Sequence, residues 1–264
     1  MPATFPEDWI TRLPHVEFAP AARRELSVFG APVELVWLPH RKTRPGVPTG
    51  ARPPFRSNHV ERILAEEAVW REHGLALTGN KFPFAARQAV LWAQAPVREA
   101  TLPMLEVALQ LEAACAGTAL LNTTGAAASI PRAHVHVVTD RLPFLDRLPR
   151  ETFRAEYLDG VEALRLVAPF PCVAVGVRGT PAERARLAHR LLEVRTTAAV
   201  NLISSGGITW VLPHGEVEIP VPHFPHALGA AELWGRWCYA DEAPFRAATG
   251  ADLEQAILRA GFRT

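Results

Sequence analysis

The chain has 264 residues, of which 48% are hydrophobic and 21% are charged, and its formal net charge at pH 7 is +1. This length and composition are typical of a globular protein with a sizeable core, built as one large domain or two small ones. A net charge so close to zero gives no long-range field that would attract nucleic acid or a membrane surface, so neither is expected as a partner.

The cysteines and the N-terminal sequence bear on the cellular compartment. Cys115, Cys172 and Cys238 are far apart and form no C-x-x-C pair, which argues against a zinc knuckle and favours free thiols in a reducing environment. No basic start followed by an apolar run is visible, and no stretch has the apolar length of a membrane span. The sequence therefore predicts a cytoplasmic protein.

The first 58 residues are rich in proline. PVELVWLP predicts a strand, and residues 38–58, with five prolines, predict a loop or an arm across the surface, because proline interrupts helices and central strands. The next segment, HVERILAEEAVWREHG, has a helical pattern that predicts a helix ending at Gly74.

Both halves of the remaining chain show the same order of predicted elements. The first half has AVLWA, a helix, TALLN and AHVHVV, and the second has FPCVAVGV, a helix, AAVNLIS and ITWVLP. Thr101 and Thr180 are predicted to cap the two helices. We interpret this order as a diverged internal duplication in which Asn122 roughly matches Asn201.

The duplication predicts the domain organisation. Residues 1–165 are expected to form the proline-rich arm and the first repeat, which carries the histidines. Residues 166–264 are expected to form the second repeat, which has no catalytic histidine. The two repeats are expected to pack as one compact unit.

The last strand of each half carries different chemistry. The second strand, ITWVLP, has no ionisable group, so the fold does not require histidine at this place. Because side chains alternate along a strand, Arg132, His134 and His136 are predicted to share one face. A neutral imidazole attacks phosphorus well when its other nitrogen is held by an acceptor and donors surround the phosphate. The backbone of residues 125–128, the Ser129 hydroxyl and the Arg132 guanidinium are candidate donors.

These residues resemble a known motif. SIPRAHVH resembles the S-x-P-H-x-H-x-Q motif of galactose-1-phosphate uridylyltransferases and diadenosine tetraphosphate phosphorylases, which belong to the histidine triad superfamily. NKFPF, NTTG and the segments VNLISSGGITWVLP, HALG and LEQAILRAG resemble further parts of the phosphorylases, so that the resemblance covers roughly residues 55–264. It implies an α+β fold of two diverged repeats, each an antiparallel sheet with a packed helix.

The resemblance also implies roles for particular residues. His134 falls on the nucleophilic histidine, which becomes nucleotidylated. Ser129 falls on the serine that contacts the phosphate, and Asn122 falls near the asparagine on the phosphate side. Asn80 and Lys81 fall on the segment that lines the substrate pocket.

Two positions depart from the motif. Arg132 replaces the first histidine, which is a zinc ligand in the zinc-containing uridylyltransferases, so that neither a metal nor another cofactor is expected. Arg132 is instead expected to face the pocket beside the transferring phosphate, where its replacement would lower turnover and leave stability nearly unchanged. His136 replaces the glutamine of the transferases, as in the histidine triad hydrolases. The family's PGH after NKFP is replaced here by FAARQ.

The sequence thus predicts an enzyme, a nucleotidyl transferase or phosphorylase acting on a nucleoside di- or polyphosphate or a nucleotide-sugar through a nucleotidyl-histidine on His134. His136 is its second candidate catalytic residue. The acceptor (phosphate, sugar phosphate or water) is left open, as is a homodimer. A histidine triad-type hydrolase and a non-catalytic nucleotide- or metabolite-binding protein on the same fold are the alternatives.

Plainer explanations exist for the histidines. His134 and His136 could lie on the solvated face of an edge strand, or could bind a metal together with Asp140. His214 is predicted to lie at the surface in a hairpin turn. His223 and His226 are assigned to a structural loop of a proline-dense segment, and the role of His40 is left open.

Overall fold

The computed structural model describes residues 9–14, 16–43, 57–215 and 228–263. Its strands are β1 (Ala22–Val28), β2 (Ala31–Trp37), β3 (Trp70–Glu72), β4 (Leu75–Gly79), β5 (Ala89–Ala93), β6 (Thr118–Asn122), β7 (His134–Val138), β8 (Arg150–Ala155), β9 (Val161–Leu166), β10 (Val175–Arg178), β11 (Val200–Ser205), β12 (Ile208–Pro213) and β13 (Arg236–Tyr239). Its α-helices are α1 (Trp9–Arg12), α2 (Ser57–Glu67), α3 (Leu102–Ala114), α4 (Phe144–Arg147), α5 (Pro181–Val194), α6 (Ala230–Trp234), α7 (Glu242–Ala247) and α8 (Gly250–Ala260). Short 3₁₀ helices span Pro39–Thr43 and Glu156–Leu158.

Ten strands form one antiparallel sheet whose order is symmetric about its centre. The order is β3-β4-β5-β7-β6-β11-β12-β10-β9-β8, so each strand of the first half has a counterpart at the same distance from the β6–β11 junction. In each half one long helix, α3 or α5, connects the third and fourth strands along the chain. The predicted fold class, α+β with two diverged repeats of an antiparallel sheet and a packed helix, is confirmed.

The symmetric order groups β8 and β9 with the second repeat. Both strands lie beside β10 at the far edge of the sheet, although they begin at Arg150. The boundary predicted between residues 165 and 166 falls at the end of β9. The division of the chain into domains stays a prediction.

The predicted helix caps are present. The Thr101 hydroxyl accepts a hydrogen bond from the Met104 N–H at 3.4 Å, and Thr180 and Glu183 form a reciprocal capping box. Such bonds satisfy N–H groups that have no partner within the helix itself. Both helices therefore start where their sequences predict.

The predicted helix up to Gly74 is wrong in its second half. The helix α2 ends at Glu67, and Trp70–Glu72 pairs with Leu75–Leu77 as a hairpin instead. His73 and Gly74 form its two-residue turn with φ angles of 51° and 74°. Two successive left-handed residues are what a tight hairpin of this twist requires.

The two long helices cover one face of the sheet and are joined by a buried ion pair. The Arg184 guanidinium of α5 donates to the Glu112 carboxylate of α3 at 2.9 Å, and both side chains are almost fully buried. Arg184 also contacts the hydroxyls of Ser204 and Thr209 on the sheet. These bonds link the two repeats across the helix face.

The opposite face of the sheet is covered in two separate places. The small sheet β1-β2-β13, together with α6, α7 and α8, packs over the part that includes β6, β11 and β12. The helix α2 packs over β4 and β5 through Val60 and Leu64. The histidines of β7 lie on this face, between the two coverings.

The central pairing brings Asn122 and Asn201 together. Asn122 of β6 is paired with Asn201 of β11 across the junction, and Thr118 is paired with Ser205. The ladder of five pairs is centred on Leu120 and Ile203, and about this centre Asn201 takes the place of Thr118. The two asparagines are cross-strand neighbours, and the rough match between them in sequence stays a prediction. Among the helices that the structure describes, none is long and apolar enough to cross a membrane.

Candidate active site

The histidine strand lies inside the sheet. In β7, His134 is opposite Trp92 of β5, and His136 is opposite Val90 of β5 and Leu120 of β6. His134 has only 4% of its surface exposed, and His136 is half-buried. The alternative of a solvated face on an edge strand is therefore wrong, because β7 has a neighbour on each side.

The His134 ring is held on two sides. Its Nδ1 lies 2.8 Å from the backbone carbonyl oxygen of Arg132, which can only accept, so Nδ1 carries the proton and donates. In the neutral ring the lone pair then belongs to Nε2. The ring also stacks on Trp92 with centroids 4.9 Å apart and an interplanar angle of 29°. The Trp92 Nε1–H donates in turn to Thr78 at 2.9 Å.

His136 is held in the opposite tautomer. Gln88 Oε1 accepts a hydrogen bond from the Phe84 N–H at 2.9 Å, so its amide nitrogen is the group that faces His136 Nδ1, at 2.9 Å. His136 Nδ1 is therefore an acceptor, and in the neutral ring its proton lies on Nε2. The His134 and His136 rings meet edge to face, with centroids 5.2 Å apart.

Asn122 flanks His134 on the side away from Trp92. The β6–β7 register, continued by one residue beyond its last pair, places Asn122 opposite His134 on the same face. The Asn122 Oδ1 accepts from the Ala230 N–H and from Asn201 Nδ2, each at 2.7 Å. Its amide nitrogen has no hydrogen-bond partner among the described residues.

Arg132 precedes β7 and points to the helix α2. Its guanidinium donates to the Gln94 carbonyl oxygen at 2.9 Å and forms an ion pair with Glu61. The Arg132 residue is only 3% exposed. Its charge is thus already neutralised by a carboxylate, and its backbone carbonyl is the group that holds His134.

The loop between β6 and β7 contains Ser129, which is partly exposed. The N–H groups of residues 125–128 in this loop are not all available to a ligand. The N–H groups of Ala126 and Ala128 bond to the Thr123 carbonyl oxygen at 2.9 and 3.4 Å, and thereby close a turn within the loop. Of the donors expected from residues 125–128, these two are already used.

Asn80 is connected to the site through Gln88. The Asn80 N–H bonds to the Gln88 carbonyl oxygen at 3.0 Å, and Lys81 is exposed beside it. Both Asn80 and Gln88 line a cavity of about 310 Å³, a size within the range of small-molecule sites. Its lining is Ile10, Thr11, Leu13, Pro14, Val16, Asn80, Pro83, Arg87 and Gln88. The cavity therefore adjoins the residue that holds His136.

The metal alternative finds no ligand set among the described residues. No group of three or more His, Cys, Asp or Glu side chains converges there. Asp140, the third ligand considered, accepts a hydrogen bond from the Arg236 guanidinium at 2.6 Å. His223 and His226 lie outside the described residues.

The expectation that His214 lies at the surface is wrong. His214 follows β12, is 5% exposed, and hydrogen-bonds through Nε2 to Asn201 Oδ1. Burial lowers the pKa of His214 to about 4. His40, in contrast, is exposed at the start of the arm. Its pKa is lowered, mainly by desolvation of the part of the side chain that is covered and further by the positive charge of Arg41.

Four residues of the site were not found by sequence reasoning, namely Trp92, Gln88, Asn201 and His214. Gln88 directly precedes β5, and its spacing from Val90 and Trp92 places the three side chains on one face. However, spacing along one strand does not show which strand lies next to it. Only the strand pairing shows that Gln88 and Trp92 face the histidines.

Comparisons with known proteins give a fold. No family model matches the sequence, and no curated protein matches it. The yeast Ap4A phosphorylase Apa2 in complex with Ap4A superimposes with a TM-score of 0.65 at 15% identity, over 94% of this chain and 92% of that chain. The fold is that of the Ap4A phosphorylase Apa2. The structure of Apa2 in complex with AMP gives a TM-score of 0.64 at 14% identity, over 92% of this chain and 88% of that chain.

The shared fold confirms the structural part of the resemblance found in the histidine motif. It covers nearly all of both chains, including the repeat that lacks counterparts of His134 and His136. At this level of identity it does not transfer a substrate or a reaction, which have to be argued from the side chains of the site.

Proposed function

We propose that this chain transfers a nucleotidyl group through a covalent intermediate on His134. The observation that carries the proposal is the hydrogen bond from His134 Nδ1 to the Arg132 carbonyl oxygen, at 2.8 Å. This bond leaves the lone pair on Nε2 and supports the positive charge that the ring gains when it attacks. The fold shared with an Ap4A phosphorylase supports the same reaction class.

The reaction has two steps. In the first, His134 Nε2 attacks the α-phosphorus of the nucleotide, a P–N bond forms, and the P–O bond to the leaving group breaks with its electron pair. In the second, an oxygen of the acceptor attacks the same phosphorus, and the P–N bond returns its electron pair to Nε2. Phosphate, a sugar phosphate and water are the acceptors to compare.

The neighbouring groups stabilise charge on the phosphate. In the proposed site, the Nε2–H of His136 and the amide nitrogen of Asn122 donate to phosphate oxygens, together with the Ser129 hydroxyl. The cavity beside Asn80 and Lys81 receives another part of the nucleotide. For Arg132 to bind phosphate, its guanidinium would first have to leave Glu61, so its proposed role is the least direct.

The covalent step is tested with Ap4A labelled with ³²P at the α-phosphorus. Wild-type protein is expected to take up label in an acid-labile, base-stable form, and His134→Ala is expected to take up none. His189→Ala, on α5 of the helix face, is the matched control and should label as wild type does. His134→Gly should regain transfer when adenosine 5′-phosphorimidazolide is supplied. Intact turnover in His134→Ala would exclude the mechanism.

The same experiment separates the alternatives. A binding protein without activity would bind Ap4A in calorimetry and take up no label. A hydrolase would release AMP without added phosphate, whereas a phosphorylase would release ADP only when phosphate is present. Labelled nucleotide-sugars in place of Ap4A test the transferase subtype.

We also infer a reducing, cytoplasmic compartment, which the three free thiols support. A homodimer stays a prediction, and light scattering on the purified protein tests it.

A further inference from the structure

A continuous chain of hydrogen bonds runs from the second repeat into the candidate active site. The His214 ring bonds to Asn201 Oδ1, and Asn201 Nδ2 donates to Asn122 Oδ1 at 2.7 Å. Asn201 Nδ2 also donates to the Ala126 carbonyl oxygen at 3.1 Å, and the Ala230 N–H donates to Asn122 Oδ1 at 2.7 Å. His214 and Asn201 belong to the second repeat, whereas Asn122 lies beside His134 in the first.

Two backbone groups fix which side-chain atom donates and which accepts along these hydrogen bonds. A carbonyl oxygen can only accept, so the atom of Asn201 that faces Ala126 must be its amide nitrogen. A backbone N–H can only donate, so the atom of Asn122 that faces Ala230 must be its oxygen. Asn201 Oδ1 is then an acceptor, and His214 carries its proton on Nε2.

Burial makes the fixed polarity costly to change. Asn201 is fully buried and His214 is 5% exposed, and buried polar groups that lose a hydrogen bond are strongly disfavoured. Rotation of the Asn122 amide by half a turn would replace its oxygen by its nitrogen, which would then face two other donors, the Ala230 N–H and Asn201 Nδ2. Both Asn122 and Asn201 are therefore held in a single orientation.

The fixed orientation of the Asn122 amide decides which of its atoms faces the candidate active site. With Oδ1 bound twice, its two remaining N–H groups are the atoms that Asn122 can present beside His134. We propose that Asn201 and His214 are positioning residues, which hold the Asn122 amide so that it donates to the phosphate transferred by His134. This inference rests on the proposed function. It gives the second repeat, which lacks the two histidines of β7, a part in the reaction.

An isosteric substitution tests the polarity directly. In Asn201→Asp the side chain keeps its shape but can no longer donate to Asn122 Oδ1 or to the Ala126 carbonyl oxygen. Rotation of the Asn122 amide lets its nitrogen donate to the new carboxylate, at the cost of the hydrogen bond from the Ala230 N–H. That rotation turns the Asn122 oxygen toward the negatively charged phosphate.

The measured quantity is the single-turnover rate of label transfer from α-³²P-labelled Ap4A to the protein. Asn122→Ala and Asn201→Asp are each expected to slow transfer by about a hundredfold, the usual loss for one donor to a reacting oxyanion. The Ap4A concentration at half-maximal rate should change much less. If Asn201 acts through Asn122, the double variant should be no slower than Asn122→Ala alone.

The control separates positioning from stability. Thr209 is fully buried on the opposite face, where it bonds to Ser204 and Arg184. Thr209→Val removes a buried hydrogen bond at a comparable place, and should lower the melting temperature without slowing label transfer. His214→Leu, which cannot donate to Asn201, should slow transfer beyond what Thr209→Val does.

The outcomes of the two proposals are distinct. If wild-type protein takes up no label, the proposed function fails and this inference fails with it. If wild-type protein is labelled and Asn201→Asp keeps its rate, only the inference is overturned. Losses that multiply in the double variant would likewise contradict it, because they would show that Asn201 acts independently of Asn122.

Discussion

Trp210 occupies in the second repeat the position that His136 occupies in the first. One row of paired residues crosses the centre of the sheet in the order Val90, His136, Leu120, Ile203, Trp210 and Gly176. The Trp210 ring lies over Gly176, where an added Cβ would be 2.8 Å from the ring. Glycine opposite tryptophan in the second repeat thus replaces valine opposite histidine in the first, and an apolar ring fills the place of the imidazole.

The first prediction follows from this replacement. Ile208 and Trp210 stand where His134 and His136 stand in the first repeat, so the second repeat has no histidine in the place of the proposed nucleophile. Labelling with α-³²P-labelled Ap4A should therefore reach one nucleotide per chain, measured against protein concentration. A value near two, or label that persists in His134→Ala, would place a second nucleophile elsewhere in the chain.

The second prediction concerns the tautomer of His136. Gln88→Leu removes the donor to His136 Nδ1 and should slow label transfer by about fivefold, the equivalent of one hydrogen bond of about 1 kcal/mol. Gln88→Glu should be slower still, because its carboxylate favours a proton on Nδ1 and removes it from Nε2. Gln88→Glu keeps an acceptor for the Phe84 N–H. A melting temperature equal to that of wild type would therefore show that its slower transfer does not come from lost stability. Equal rates in both variants would show that the tautomer does not matter.

Much of the repeat architecture could be predicted because its signals are local. AVLWA and TALLN coincide with β5 and β6, and the caps at Thr101 and Thr180 form as predicted. The strands that were missed lack such signals. The strand β13 pairs in parallel with β2, from the other end of the chain, and β8 and β9 carry several charged residues. Only long-range packing reveals these strands.

The candidate site was predicted in part for the same reason. His134 and His136 stand out because two imidazoles in a strand of valines need an explanation, and their shared face is confirmed by their edge-to-face contact. The sequence could not show that Gln88 holds His136, or that His214 is buried against Asn201. Both facts depend on the register of neighbouring strands and on which polar atom faces which, and neither is encoded locally.

The third prediction revises the expected effect of Arg132 on stability. A side chain facing an open pocket would leave stability nearly unchanged when removed, but this guanidinium is buried and bonded to Gln94 and Glu61. Arg132→Ala should therefore lower the free energy of unfolding by about 1–3 kcal/mol, measured by denaturant titration. Elemental analysis of the same preparations should find no stoichiometric zinc.

Glu61→Ala is the matched variant for Arg132, since it breaks the same ion pair and keeps the guanidinium. If Arg132 also binds the transferred phosphate, Arg132→Ala should slow label transfer well beyond Glu61→Ala, assayed far below both melting temperatures. Equal rates in the two variants would reduce Arg132 to a structural residue whose carbonyl oxygen orients His134.

The fourth prediction is a dependence of stability on pH that arises from His214. Burial lowers the pKa of His214 from 6.5 to about 4 in the folded protein. Between these two values the unfolded chain binds the proton and the folded chain does not, so stability falls as the pH falls from 6.5 to about 4. The difference of about 2.5 pKa units corresponds to roughly 3 kcal/mol of unfolding free energy.

The variant His214→Gln tests this dependence, because glutamine can still donate to Asn201 Oδ1 but does not titrate. Unfolding free energies measured by denaturant titration at intervals from pH 7.5 to pH 4 should fall less steeply for His214→Gln than for wild type. The gap between the two curves should open below pH 6.5 and approach roughly 3 kcal/mol near pH 4. His73→Gln, on an exposed turn, should keep the wild-type slope. Parallel curves for wild type and His214→Gln would mean that His214 takes up its proton in the folded state as readily as in the unfolded chain.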